Sequence, residues 1–81
     1  MVEFLGIHKL EAGMTETDVT DGFNKYKESA TKMGLKPSHA HISMKKGFAY
    51  CLTEAGSADE VRKAHVNVAV PLEDVVEVKT I

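Results

Sequence analysis

The chain has a single cysteine, no excess of positive charge and no long apolar run, and each shortage excludes a class of protein. Cys51 alone cannot close an internal disulfide, so covalent cross-linking contributes nothing to the fold of one chain. Ten lysines and arginines face twelve acids, a net charge of −2. Nucleic-acid binders ordinarily carry a basic face that displaces phosphate counterions, so the balance argues against a nucleic-acid partner. No apolar stretch approaches the roughly 18 residues of a membrane-spanning helix. The N-terminus, with an acid at Glu3, has no signal-like run, and the sequence reads as cytoplasmic with no membrane partner. Phosphate-cradling glycine loops, paired carboxylates and a glycine-rich oxyanion turn beside a nucleophile are missing too, which leads us to expect a non-enzymatic protein.

What is present is the composition of a folded domain. Hydrophobic residues make up 43% and charged ones 27% of 81 residues, enough for one domain spanning 1–81 and too little for two. A core of that size leaves much surface exposed, and such chains often gain stability by association.

Periodicity gives the elements. Residues Val2 to Leu10 alternate, with Leu5 and Ile7 on one face and Val2, Phe4, Gly6 and His8 on the other. "EAGMTETD" supplies a turn and a helix start, Thr15 as N-cap with Asp18 three residues on. Val19, Phe23, Tyr26, Ala30 and Met33 follow at helical spacing, and Gly34 closes the helix. "SHAHISM" and "GFAYCLTE" flank the turn Lys45-Lys46-Gly47 and read as a hairpin. Ser57 and Glu60 open a second helix as a capping box, with Val61, Ala64, His65 and Val68 on one stripe, and Pro71 ends that segment. "DVVEVKTI" is the last strand.

The order strand, helix, strand, strand, helix, strand predicts an α+β fold, the ferredoxin-like βαββαβ two-layer sandwich with an antiparallel sheet. Its helices cover one sheet face only. Yet both alternations of these strands are apolar or aromatic: Leu5 and Ile7 opposite Phe4, Ala49 and Cys51 opposite Phe48, Tyr50 and Leu52. Something is therefore expected to cover the second face, with Phe4, Phe48 and Tyr50 as the ligand or dimer surface.

Two readings compete for that surface. "KGFAY" matches the opening of the signature strand of RNA-recognition motifs, whose alternate aromatics stack bases. The pattern then breaks: Cys51 and Thr53 stand where an aliphatic and a further aromatic belong, and Ile7 and His8 stand where the companion strand carries an asparagine. A protein partner is the better expectation, with single-stranded RNA the weaker one.

Histidines 8, 39, 41 and 65 and Cys51 are the residues with metal-binding chemistry. His39 and His41 share a strand face, with Cα atoms roughly 6.5–7 Å apart by strand rise, close enough to reach one ion. His8 lies with Phe4 and Gly6, a face expected to point away from the helices, and if His39 and His41 point the same way three imidazoles face one space. Hairpin register decides the rest: an even residue sum across the pair puts Cys51 with His39 and His41, an odd sum puts it opposite. Imidazole and thiolate donors suit nickel, zinc or copper.

The C-terminal half, "YCLTEAGSADEVRKAHVNVAVPLEDVVEV" (Tyr50 to Val78), resembles the nickel-binding-protein-like family of short domains, and "EFLGIHK" is similar to that family's first strand. The resemblance implies a ferredoxin-like subunit that pairs as a dimeric α/β barrel, with nickel on histidine-centred sites. It carries over to His8, Cys51 and His65; His39 and His41 match no motif and rest on spacing. Gly56 replaces the usual proline before Ser57, and "NVAVP" replaces "RAGLP". The function expected is a small homodimeric transition-metal-binding protein, nickel favoured, with a metal-free dimer that binds a small apolar ligand as the alternative.

Overall fold

A computed structural model describes all 81 residues as β1 (Val2–Lys9), α1 (Glu16–Lys32), β2 (Lys36–Ser43), β3 (Phe48–Ala55), α2 (Ala58–Val66) and β4 (Asp74–Val78). The strands form one antiparallel sheet in the order β2-β3-β1-β4, and both helices pack on the same face of it. This is the βαββαβ ferredoxin-like arrangement that alternation and helical spacing predict. Neither helix is long and apolar enough to cross a membrane.

Local chemistry accounts for the helix ends. Thr15 Oγ1 accepts from Asp18 N–H and Asp18 returns a bond to Thr15 N–H, so two of the orphan donors of α1 are satisfied reciprocally. Past the C-cap Met33, Gly34 takes φ +81°, a conformation glycine adopts without cost. At α2 only half of the box forms: Ser57 Oγ accepts from Glu60 N–H, while the Glu60 carboxylate meets the Ser57 hydroxyl. A side chain at Gly56 would lie 2.7 Å from Glu60 Oε1, so glycine in place of proline leaves room for that carboxylate.

The core lies between helices and sheet. Tyr26, Ala30, Val61 and Ala64 meet Phe4, Cys51, Ala55 and Val75, and Ser29 Oγ donates to Ala64 O across the two helices at 2.9 Å. Two expectations are corrected here. Phe4, Gly6 and His8 face the helices, and Leu5 and Ile7 take the open side; Phe4 is 5% exposed, a core residue and no part of the outer surface. The bulky Phe4 fills interior space, and Gly6 lets the interior close tightly on β1.

The second correction comes from the hairpin register. The turn pairs Ser43 with Phe48, an odd residue sum that holds back to His41 with Tyr50 and His39 with Leu52, so His39 and His41 turn to the open face while Cys51, opposite Ala40, faces the helices. A β-bulge at Ser38 restores the even sum only beyond them, at Pro37 with Thr53. His39 and His41 do not join His8.

Helix α2 ends at Val66, so Val68 lies in the connection beyond it. Within that connection Ala69 takes φ +55°, the left-handed region, at the position where the resembled pattern has glycine. A Cβ there is strained. Ala69→Gly is expected to raise unfolding free energy by about 0.5–1 kcal/mol, the relieved strain less the added freedom of the unfolded chain. Denaturant titration of the two proteins checks it.

Candidate metal centre

Three elements deliver the cluster. Alternation puts His8 of β1 and Cys51 of β3 on the helix side of the sheet, and the inner stripe of α2 lowers His65 onto them. His8 Nε2 lies 3.3 Å from Cys51 Sγ, and His65 Nε2 lies 3.5 Å from it. All three donor atoms fall within 4.8 Å of one another. The two sulfur contacts are close to the edge of a coordination tetrahedron with bonds of about 2.0–2.3 Å, which is roughly 3.5 Å.

The outer nitrogens decide what the inner ones can do. His8 Nδ1 is 2.8 Å from Pro71 O, and His65 Nδ1 is 2.8 Å from Val61 O. A carbonyl oxygen only accepts, so both Nδ1 atoms carry hydrogen and donate, and both Nε2 atoms present bare lone pairs to sulfur. One thiol hydrogen can satisfy one of them. The neutral cluster therefore holds three converging donor atoms and a single hydrogen among them. Imidazoles whose other nitrogen donates to a carbonyl are the arrangement found around bound metals.

Burial keeps the group uncharged. Cys51 and His65 are 2% and 1% exposed, His8 half-buried. Loss of solvent pushes the Cys51 thiol up to about 12, against two backbone hydrogen bonds that favour the thiolate. The same loss pulls His65 down to about 4, opposed by its bond to Val61, and lowers His8. The Tyr26 ring stacks on His65 at 3.8 Å, and its hydroxyl bonds Thr53 Oγ1. Burial raises this phenol to about 12.

Gly6 is a further part of the centre that spacing arguments passed over. A Cβ there would sit 2.6 Å from Cys51 Sγ and 3.6 Å from the His65 ring. A glycine inside a strand signals close approach, and that signal was available. Tyr26 and the carbonyls of Val61 and Pro71 carried none. A cavity of about 700 Å³ opens onto the cluster from beneath α1.

The other predicted residues lie elsewhere. His39 and His41 are exposed on the open face, ring centroids 6.4 Å apart. Phe48 and Tyr50 share that face with nearly parallel rings, beside Leu5, Ile7 and Leu52.

No family model matches the chain. No curated protein matches it either. A crystal structure of a protein from Streptomyces coelicolor A3(2) superposes with a TM-score of 0.84 at 20% identity, covering 96% of each chain. That likeness establishes the fold.

The buried neutral cluster predicts a pH window. Below about 6.5 an unfolded histidine binds a proton that folded His65 refuses until about 4, so stability falls as pH drops through that interval. The loss expected is about 2 kcal/mol, with His8 acting in the same direction. On the alkaline side, stability declines as pH rises from about 9 towards 12, where the unfolded thiol ionises and Cys51 does not. Metal-free denaturation midpoints from pH 4 to 8 check the acid limb; a flat profile there would contradict a neutral cluster.

Proposed function

We propose that the chain is a transition-metal-binding protein, nickel favoured, that holds an ion on His8, Cys51 and His65 and binds or buffers it without catalysing a reaction. One observation carries the reading: two bare imidazole nitrogens and a thiol converge, with both histidine tautomers held by backbone carbonyls. An ion that displaces the thiol hydrogen satisfies all three. The donor set accepts nickel, zinc or copper, and the resemblance of Tyr50 to Val78 to nickel-binding-protein-like domains favours nickel. Buffering is supported over nucleophilic chemistry because reactive thiols are exposed and acidic, whereas Cys51 is buried with its thiol raised.

Calorimetric titration of the metal-free protein with nickel, zinc and copper at pH 7.5 tests it. One ion per chain is expected, with affinity falling at least tenfold in Cys51→Ser and in His8→Gln, and unchanged when His39 and His41 are both alanine. Binding no tighter than about 1 mM for all three ions would refute the reading.

The same reading includes a second copy of the chain over the open sheet face. Leu5, Ile7, Phe48, Tyr50, Leu52 and Val76 form its half-buried apolar surface. A patch of that kind is stabilised by a partner of like character. Bases stacked on Phe48 and Tyr50 are the competing occupant, but this face has no excess of basic charge, since Glu3, Glu54 and Asp74 offset Lys9 and Lys36. Sedimentation is expected to give a dimer that Ile7→Glu converts to a folded monomer; a wild-type monomer at high concentration would refute it.

A further inference from the structure

Metal binding leaves the cavity beside the cluster without a use. It runs from the three donors outward between the first half of α1 and the sheet, with Val19 and Phe23 above and Ala40, Ile42 and Ala49 below. Its volume of about 700 Å³ is in the range of sites for small molecules. Small residues keep it open. Gly22 stands inside α1, where glycine costs about 1 kcal/mol relative to alanine, and a Cβ there would meet no atom within 4 Å. Packing gives no reason for a glycine at that position.

Charge orients an occupant. Three protein donors leave a four-coordinate ion one position short, and His8, Cys51 and His65 all line the cavity. A divalent ion with one thiolate and two neutral imidazoles is left with a net positive charge in a desolvated site, which an anionic donor neutralises. On the outer wall Lys9 and Lys25 are outnumbered by Glu11, Asp18 and Asp21, so the attraction for an anion comes from the ion and not from the wall. Carboxylates are ionised at neutral pH, whereas simple thiols and phenols are mostly protonated.

We propose that the cavity binds a small apolar monocarboxylate, its hydrocarbon part between Val19, Phe23 and Ile42 and its carboxylate at the cluster. The inference rests on the metal reading. Cobalt(II) separates the two, because its thiolate charge-transfer band reports occupancy of the cluster and its visible d–d bands report a change of donors. Octanoate added to the cobalt-loaded protein is expected to change the d–d bands saturably, at a concentration at least tenfold below that acetate requires. Gly22→Phe should keep the charge-transfer band and weaken the octanoate response at least tenfold, and Ala40→Leu narrows the cavity from the sheet side should that variant not fold. Equal responses to octanoate and acetate, or an octanoate response that both variants leave intact, would overturn the proposal while the metal reading stands. No charge-transfer band with cobalt, nickel or copper would remove both.

Discussion

Two hydrogen bonds to backbone carbonyls govern the interior: His8 to Pro71 O and His65 to Val61 O. They hold both imidazoles in the tautomer that points a lone pair at Cys51, and so convert three polar side chains into one electron-rich centre. The Val61 carbonyl is supplied by the helix that carries His65, one turn back. The Pro71 carbonyl has to be brought from outside the helices, and the α2–β4 connection does this. Val70 N–H bonds His65 O at 3.0 Å, Glu73 N–H bonds Ile7 O at 2.7 Å, and between these anchors the chain presents Pro71 O to His8. The left-handed Ala69 lies in this stretch, so its strain is borne where the connection must turn sharply.

The sheet contributes by closeness. Gly6 pairs with Cys51 on one side and Val75 on the other, and its missing side chain is what allows sulfur, Leu72 and the His65 ring to converge over β1. Tyr26 then caps His65 from α1, with its hydroxyl satisfied by Thr53. Helix, strand and connection thus meet at one point, and a shift of any of them moves a donor atom. Beyond that point α1 parts from the sheet, and the interior gives way to the cavity.

Much of this was legible in the sequence because it follows from period and caps. Alternation separated Leu5 and Ile7 from Phe4, Gly6 and His8, and the stripe of α2 put His65 at an apolar edge. Which alternation of β1 faces inward was not legible, since both are apolar and the choice depends on what packs above them. The histidine pair failed for a different reason. Residue types in the turn do not fix which residues pair across it, and the odd register that starts at Ser43 and Phe48 sends His39 and His41 to the other face and isolates them from Cys51. Tautomers and the cavity depend on where distant carbonyls and empty space fall, and no single position encodes either.

Stability alone does not account for the centre. Of 81 residues only 14 are buried, and Cys51, His65, Tyr26 and Thr53 are among the largest side chains fully enclosed. An interior this small gains most from apolar packing, and apolar groups of similar shape in place of buried polar ones are often neutral or stabilising. Here the interior instead encloses two imidazoles against one thiol, with a hydrogen too few for its acceptors, beside a cavity that larger residues at Ala40, Ala49 or Gly22 would fill. Each departure lowers stability by a separate route: desolvated polar groups, an unmatched lone pair, lost dispersion and a helical glycine. They coincide at one place, as such departures do at functional sites. An ion held there would resolve the unmatched lone pair, and an occupant of the cavity would restore the missing contacts. The residues that lower stability would then be the ones that give binding its free energy.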